Sequence, residues 1–368
     1  MDFPVETVIP QKTLFRPGAL TALIPECLEF GPRGILVHGP SLEKNGQKDL
    51  LSKTVPSDAS VRYFRRKSGE PELSEIGDLI RAGREFKADW IAGIGGGSVL
   101  DLAKAAAGLF NAKEKPVYYQ EGGELKEPGI PFIAVPTTAG SGSEATVNAV
   151  IINPEKKAKL SIRDKTFMAR KVILDPDLLR KAPPAVLRFS AMDALVQAYE
   201  SFISKNATWF SETFALKAVE LLAHHLPPGL ESRAEEHLSS LLLGSYFSGI
   251  AFNASRLGVI HGIAHPLGAL YHEPHGLICS VCLPASIKIN RRVMGRKYDV
   301  MTYVVKKDFL EKTEELLSLL KIESPFRGKP LIEKEKIIAE TLRSGSTAAN
   351  PKPITREDVE FILEEIFK

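Results

Sequence analysis

The stretch GIGGGSVLDLAK (93–104) follows an apolar run over residues 89–94 and leads into a segment rich in small residues over 99–110. The run is typical of a buried strand and the segment of a helix, so the glycines stand at a strand-to-helix turn. Glycine there lets the backbone approach a phosphate, and the helix start offers free N–H groups and a positive dipole end. The spacing nearly satisfies G-x-G-x-x-G, with Ser98 in the last position, and it is also compatible with an ordinary tight turn.

A second loop of this kind follows the predicted strand over residues 131–135. It reads PTTAGSGSEAT (136–146), and four hydroxyl groups lie within residues 137–143. Ligands of open α/β sheets bind just outside the carboxyl ends of the strands. Two such loops together favour a site for a phosphate-bearing cofactor over two unrelated turns.

The turn after the predicted strand GILVH (34–38) bears on which dinucleotide binds. An acidic residue after such a strand normally holds the adenosine ribose of NAD. Here the turn reads Gly39-Pro40-Ser41, and the first carboxylate is Glu43. Because the missing negative charge leaves room for a 2′-phosphate, we favour NADP, with NAD as the alternative if Glu43 reaches the ribose.

Strand and helix patterns alternate through the first half of the chain, which favours a parallel α/β sheet. Further strands are predicted over residues 59–65 and 173–175. From about Pro184 onward, helical patterns dominate. The longest of these helical patterns cover residues 208–225, 234–252 and 309–320. We therefore predict an α/β dinucleotide-binding domain over residues 1–180 and an all-helical domain over residues 181–368.

Composition excludes several classes of protein. The 368 residues carry a net charge of only +3 with no long basic run, so nothing indicates nucleic-acid binding. Charged residues interrupt every apolar stretch before it reaches the ~18 residues that a membrane helix needs. The N-terminus lacks the pattern of a secretory signal, and three cysteines cannot form a disulfide framework. We therefore expect a cytoplasmic enzyme.

Three histidines and an aspartate stand in two apolar segments of the second half, at Asp193, His261, His265 and His275. Imidazoles in apolar helical segments need partners, either hydrogen-bonding groups of the core or a divalent metal. Three histidines within fifteen residues favour the metal. Asp193 and Gln197 are four residues apart and share a helix face. The motif HGIAH lacks the glutamate of H-E-x-x-H, which argues against a zinc protease.

The two cysteines near His275 form a single C-x-x-C, Cys279 and Cys282. A structural zinc site usually needs a second such pair, and a redox motif needs a βαβ context. We therefore interpret both as small core residues.

Taken together, these motifs make the chain similar to the iron-containing (group III, metal-dependent) alcohol dehydrogenases. The resemblance extends over nearly the whole chain, and its glycine-rich and histidine-rich signatures occur in the family's order. The matching segments are FRPGAL (15–20), GIGGGSVLDLAK (93–104), PTTAGSGSEAT (136–146), ILDPDLL (173–179), AMDALVQAYESFIS (191–204), HGIAHPLGALYHEPHG (261–276) and NPKPITREDVEFIL (350–363).

The resemblance implies the two-domain dehydroquinate synthase-like superfold and a metal held by one Asp and three His. Three of these ligands match Asp193, His261 and His275, whereas the fourth falls on Gln197, whose neutral oxygen suits hard ions better than imidazole does. His265 matches a histidine near the nicotinamide that is not a ligand, and we expect it to relay a proton. The residues assigned to the cofactor are Gly39, Ser41, Gly95, Gly96, Gly97, Ser98, Asp101, Thr137, Thr138, Ser141 and Lys159.

The expected reaction is reversible hydride transfer between NADP (or NAD) and a small alcohol or aldehyde, assisted by Fe²⁺ or Zn²⁺. The family also implies a homodimer. Two other interpretations remain open. One is a metal-dependent lyase similar to 3-dehydroquinate synthase, and the other is a weakened nucleotide-binding protein, which the departure at Gln197 would suit. Maleylacetate reductases are near relatives, but that branch tends to lose the aspartate that Asp193 retains.

Overall fold

The computed structural model describes residues 6–67, 69–156 and 158–368. Eight strands occur among these residues, six of them in one parallel sheet of order β1-β8-β5-β4-β2-β3 and two in an antiparallel hairpin, β6-β7. The strands are β1 (Lys12–Phe15), β2 (Arg33–His38), β3 (Ser60–Arg65), β4 (Trp90–Gly95), β5 (Phe132–Pro136), β6 (Asn148–Asn153), β7 (Ala158–Arg163) and β8 (Lys171–Leu174).

The inner strands of the sheet are almost continuously buried. Strands β4, β5 and β8 have no exposed residue, and β2 has only Arg33. Such uninterrupted apolar runs are typical of parallel sheets that are covered on both faces. The sheet confirms the predicted α/β class.

The chain order of the strands reverses between β2 and β4. Strand β3 lies on one side of β2, and β4 lies on the other, with β5 beyond it. The register pairs His38 with Ile94 and Gly95 with Pro136, so β2, β4 and β5 end level with one another. The turns that follow these three strands therefore lie at one edge of the sheet, at the switch point where such folds bind ligands.

Seven helices occur among the described residues before residue 183. The longest two are amphipathic α4, which begins with a Glu72–Glu75 capping box, and α5, which is buried over most of its length. A helix buried on nearly all sides explains the alanine-rich sequence of α5. The seven are α1 (Leu23–Leu28), α2 (Pro40–Lys44), α3 (Gln47–Ser52), α4 (Leu73–Phe86), α5 (Gly97–Gly108), α6 (Pro116–Gln120) and α7 (Asp177–Arg180).

The remainder of the chain is helical, as predicted. Helix α8 is buried from Ala191 to Ile203 and packs against α9, α10 and α12. The helices are α8 (Pro184–Ile203), α9 (Trp209–Ser232), α10 (Glu235–Ser255), α11 (Val259–Tyr271), α12 (His275–Met294), α13 (Arg296–Val305), α14 (Phe309–Leu319), α15 (Lys334–Arg343) and α16 (Arg356–Phe367).

Two features of the fold had no sequence prediction. Strand β1 is short and largely exposed, and it pairs with β8, which follows it by more than 150 residues. The hairpin β6-β7 has alternating burial rather than an apolar run. Both depend on pairing between segments, which local hydrophobicity does not report.

The chain divides into two compact units. One comprises residues 8–138 and 142–182, and the other contains residues 183–368 together with the short segment 139–141. The first unit holds the sheet, and the second holds the helices from α8 onward. None of the helices formed by the described residues has the length and apolar character needed to cross a lipid bilayer.

Candidate metal centre and cofactor loops

Three helices of the second unit bring one aspartate, two histidines and one cysteine together. Helix α8 carries Asp193, α11 carries His261 in its first turn, and α12 begins at His275 and carries Cys279 one turn later. One potential ligand atom from each of these four residues lies within 4.8 Å of all the others. The structure thus unites the predicted ligands Asp193, His261 and His275, and it adds a thiol that the sequence analysis assigned to the core.

Helix α12 approaches α8 closely because Gly276 has no side chain. A Cβ atom at this position would lie 2.1 Å from the carbonyl oxygen of Phe189, a distance that no side chain tolerates. The first turn of α12 therefore packs directly on the backbone of α8. This packing places His275 and Cys279 beside Asp193.

Two atoms at the centre of this cluster lack hydrogen bonds. Among the described residues, Oδ1 of Asp193 and Nε2 of His261 are buried and have no hydrogen-bond partner, although they lie 3.4 Å apart. Nε2 of His275 lies 3.7 Å from the same aspartate oxygen. Buried polar atoms are nearly always paired, so these lone pairs point to a bound group. A carboxylate oxygen and two imidazole nitrogens arranged around one point fit a divalent cation.

The electrostatics of the cluster also suit a cation. Burial alone would raise the pKa of Asp193, but His275 and His261 outweigh it and hold that pKa below its usual value. Burial alone would lower the pKa of His261, but the adjacent carboxylates of Asp193 and Glu200 raise it to about 9. The negative charges that favour protonated His261 would attract a metal ion as well.

Glu200 orients His261 and was missed by the sequence analysis. Its Oε2 accepts a hydrogen bond from Nδ1 of His261 at 2.6 Å, and its Oε1 accepts one from the backbone N–H of Ile260 at 2.6 Å. In the neutral ring that a metal would require, this bond fixes the tautomer whose unprotonated Nε2 faces Asp193. A signal for this role was present, because Glu200 follows Asp193 by seven residues on one helix face.

The amide of Gln197 is hydrogen bonded at both ends. Its Nε2 donates to Oδ2 of Asp193 at 3.1 Å, and its Oε1 accepts from Oγ of Ser248 at 3.1 Å. The structure therefore places Gln197 beside the predicted ligand set, as a hydrogen-bond partner of Asp193.

His265 lies one turn after His261 on α11 and is exposed. Its ring stacks on His275, with centroids 5.7 Å apart and planes inclined by 26°. A solvent-facing imidazole next to the half-buried His275 is placed as a proton relay would need to be. We therefore keep it apart from the ligand set.

The predicted cofactor residues gather at the carboxyl edge of the sheet. Gly39 follows β2, Gly95 ends β4, and the loop after β5 begins with Thr137, whose backbone N–H donates to Gly95 O at 3.0 Å. Gly96 is the N-cap of α5, and a Cβ there would lie 3.3 Å from Oγ1 of Thr138. The turn at Gly39, the turn at Gly95 and Gly96, and the loop at Thr137 and Thr138 thus lie at one edge of the sheet.

Other predicted residues have more specific positions. Gly97 and Ser98 form the first turn of α5, where N–H groups are free, and Ser41 is exposed on α2. Ser141 belongs to the segment that groups with the helical unit. In that segment Gly140 lies against Ser190 of α8, so closely that a Cβ would be 2.6 Å from the serine Cβ.

Asp101 stabilises the loop that follows β5 (residues 136–146). Its two carboxylate oxygens accept hydrogen bonds from Oγ of Ser143 at 2.5 Å and from the backbone N–H of Val150 at 3.0 Å. The fully buried Lys104 donates to Ser143 and Thr146, and burial lowers the pKa of its ammonium to about 8. The structure places Asp101 as a support of this loop.

Lys159 and Ser98 meet at a glutamate that the sequence analysis did not identify. Nζ of Lys159 lies 2.6 Å from Oε1 of Glu70, and Oγ of Ser98 donates to the other carboxylate oxygen of Glu70 at 3.5 Å. Lys159 on β7 is thereby tied to the first turn of α5, next to the glycine loop. This position suits the predicted contact of Lys159 with a cofactor ribose.

The region around Gly39 contains two cations for one carboxylate. Glu43 accepts a hydrogen bond from Lys48 at 3.1 Å and lies 3.3 Å from Nε of Arg65. The hydrogen bond from Lys48 lowers the pKa of Glu43. Since Glu43 is already paired twice, it is a poor competitor for a ribose hydroxyl, whereas the two cations suit a phosphate.

Two family profiles match this chain and together cover most of it. The first, described as iron-containing alcohol dehydrogenase, matches residues 10–176. The second, described as the C-terminal part of the Fe-containing alcohol dehydrogenase family, matches residues 189–367.

Curated relatives and solved structures agree with these profiles. Lactaldehyde reductase from Escherichia coli (strain K12) is 32% identical over 79% of this chain and 77% of its own length. NAD-dependent methanol dehydrogenase from Bacillus methanolicus is 30% identical over 75% of this chain and 73% of its own length. An iron containing alcohol dehydrogenase from Thermococcus thioreducens superposes with a TM-score of 0.89, at 26% identity, over 98% of this chain and 99% of that one.

Proposed function

This chain belongs to the iron-containing alcohol dehydrogenase family and is an NAD(P)-linked oxidoreductase of alcohols and aldehydes, and we propose that it reduces short aldehydes with NADPH at the Asp193 centre. The observation that carries the proposal is the pair of buried, unpartnered atoms, Oδ1 of Asp193 and Nε2 of His261. A non-redox lyase gains no support from the relatives described above, which are named as dehydrogenases and reductases.

Each residue of the centre has a distinct task. Asp193 supplies negative charge, while His261 and His275 supply neutral nitrogen donors whose direction the helices fix. Glu200 keeps His261 in the required tautomer. Gln197 holds the second oxygen of Asp193, so that the first oxygen faces the centre. When bound, a divalent metal polarises the substrate oxygen as a Lewis acid.

Proton transfer is assigned to His265. Reduction of an aldehyde adds a hydride to carbon and a proton to oxygen, and the proton must come from solvent through the protein. His265 is exposed and stacks on His275, so it is the imidazole of this group that can exchange protons with water. General acid–base groups of this kind contribute about 10²–10⁴-fold to a rate.

The cofactor is proposed to bind across the edge formed by the turns after β2, β4 and β5. The N–H groups at the start of α5 and the bare backbone at Gly95 and Gly96 suit the pyrophosphate. Lys48 and Arg65, together with the lack of a carboxylate at Gly39, support NADP over NAD.

The substrate is proposed to be a short aldehyde of about the size of lactaldehyde or smaller. The lactaldehyde reductase and the methanol dehydrogenase named above support this class. Chain length can be ranked by kcat/KM on formaldehyde, lactaldehyde and butanal.

The decisive test uses His261→Ala with the same panel of aldehydes. We expect loss of bound metal and of NADPH oxidation, with NADPH binding retained, because the glycine and threonine loops are unchanged. Turnover by metal-free His261→Ala would refute the assigned centre. Elemental analysis and fluorescence titration with NADPH give the two controls.

We also propose an oligomeric state and a cellular location. A homodimer follows from family resemblance and is checked by light scattering in solution. A cytoplasmic location is supported by the three free cysteines of the described chain, Cys27, Cys279 and Cys282, all of which are buried. Fractionation of cells that produce the protein tests it.

A further inference from the structure

We propose that Cys279 is a metal ligand of this chain, taking the place of the histidine that the family has at the position of Gln197, and that the resulting Asp–His–His–Cys set prefers zinc to iron. The inference rests on the proposed function, in that it concerns the ligands of the same centre. It revises our interpretation of Cys279 as a core residue.

The first step concerns Gln197. Both of its polar atoms are occupied, since Nε2 donates to Asp193 and Oε1 accepts from Ser248. To bind a cation through its oxygen, the amide would have to turn over and lose the bond that it donates to Oδ2 of Asp193. The carboxylate of Asp193 would then lose the donor that orients its second oxygen, whereas the buried hydroxyl of Ser248 would keep its bond to the carbonyl oxygen of Ser245 at 2.8 Å.

The second step concerns the position of Cys279. It lies one helical turn after His275, is fully buried, and has its Sγ 3.5 Å from Nε2 of His275. It also belongs to the group of four ligand atoms that lie within 4.8 Å of one another. Neighbouring donors around a zinc ion with bonds of 2.0–2.3 Å lie roughly 3–4 Å apart, so small rotations of the side chains would bring all four donors to bonding distance, with the substrate oxygen as a fifth ligand.

The third step concerns charge. A dication held by Asp193, two neutral imidazoles and a neutral amide keeps one positive charge within the ligand set, which the buried carboxylate of Glu200 offsets from behind His261. When Cys279 binds, its S–H bond breaks, the proton leaves to solvent, and the thiolate brings the charge of the ligand set to balance that of the ion. Each ion bound through Cys279 therefore releases one proton.

The fourth step concerns the choice of metal. Thiolate is a soft ligand that suits Zn²⁺, whereas a ligand set of carboxylate, amide and imidazole is harder. In this chain Gln197 replaces the family's histidine, and Cys279 lies nearby. We therefore expect the centre to prefer zinc to iron. The ligand count stays at four, as in the family's own Asp and three His.

The matched control is Cys282, three residues further along the same helix. It is as fully buried as Cys279, and it does not belong to the group of four. Substitution of either cysteine by serine is an equal chemical change in one helix. Only Cys279→Ser should affect the metal.

The experiment replaces the native metal with Co²⁺, since a thiolate bound to cobalt gives an intense charge-transfer absorption in the near ultraviolet. We expect this band in the unmodified chain, in Cys282→Ser and in Gln197→Ala. Cys279→Ser should lose the band and more than about tenfold in metal affinity. Cobalt bound at His225 and His237, a second group that could hold an ion, has no sulfur and would not contribute.

A second variant covers the case in which Cys279→Ser fails to fold. The double variant Cys279→Ser with Gln197→His restores the family's ligand set, and it should bind cobalt without the band and take up iron more readily than zinc. Cobalt binding without the band in the unmodified chain would overturn the inference alone. Absence of cobalt binding in the unmodified chain would overturn both the inference and the proposed function.

Discussion

Glu200 and His261 form a hydrogen bond of 2.6 Å between Oε2 and Nδ1, and both side chains are buried. The bond leaves the other ring nitrogen free and directs it toward Asp193. Carboxylates in this position fix the orientation of a metal-binding histidine and raise its basicity. We therefore expect the affinity of the proposed centre for metal to depend on Glu200, a residue outside the ligand set.

Glu200→Gln tests this relationship. The amide is nearly the same size and its one oxygen can still accept the bond from Nδ1, but the negative charge is lost and the NH2 group faces the backbone N–H of Ile260. We expect metal affinity to fall about 10–100-fold, with activity recovered at high metal concentration. Competition with a chelator measures the affinity. Glu220→Gln, at an exposed ion pair on α9, should leave it unchanged.

His265→Asn separates proton transfer from metal binding. We expect kcat to fall about 10²–10⁴-fold while metal content stays the same, because His265 is exposed and lies outside the group of ligand atoms. Steady-state kinetics and elemental analysis give the two readouts. His272→Asn is the control, since His272 is exposed at a left-handed position (φ 57°) that asparagine also adopts. Loss of metal from His265→Asn would contradict its assignment as a relay.

Gly39→Asp tests the proposed preference for NADP. Gly39 has an extended backbone (φ −88°), and a Cβ there would meet only Val99 at 3.7 Å, so the structure accepts a side chain. The new carboxylate should repel a 2′-phosphate and attract ribose hydroxyls, which shifts the kcat/KM ratio of NADPH to NADH by about tenfold or more, or ~1.4 kcal/mol. Gly39→Ala adds the Cβ without charge. An equal shift in both variants would remove the electrostatic explanation.

The ion pair between Glu26 of α1 and Lys171 of β8 makes stability depend on pH. Burial alone would raise the pKa of Glu26, but hydrogen bonds from Lys12 and Lys171 outweigh it and hold the pKa below 4.5. The stability that Glu26 contributes is therefore present above about pH 4.5 and is lost as the pH falls through its folded-state value. Glu26→Gln should lower the unfolding free energy at pH 7 by about 1–3 kcal/mol.

The check is a series of denaturant titrations between pH 3 and pH 7. The unmodified chain should lose stability more steeply than Glu26→Gln at the acid end, so the two curves converge there. Parallel curves over the whole range would show that Glu26 makes no such contribution.

Much of the site was accessible from the sequence because its residues stand at fixed offsets. Asp193 and His261 occur in apolar helical segments where a polar group needs a partner, and the glycines of 95–97 stand between an apolar run and a helix. These signals are local. They therefore predicted five of the eight strands and the helical second half without knowledge of the fold, and they indicated which side chains to propose as ligands.

Residues that act through distant partners escaped prediction. In the sequence, Glu200 is like any other acidic residue of a helix, because its role depends on the contact with His261 of α11. Cys279 and Cys282 have the same local pattern, and only the packing of α12 on α8 distinguishes them. Strand β1 likewise gains its role from β8.

By itself, the sequence determined the class of each segment, the family and the kinds of group at the centre, because periodicity and turn chemistry depend on neighbours along the chain. The tertiary structure alone decided which groups meet. It placed Glu200 behind His261, engaged Gln197 at both ends and set Cys279 beside His275. Such contacts depend on the angle and distance at which helices pack. Between α8 and α12, Gly276 allows close packing because it has no side chain.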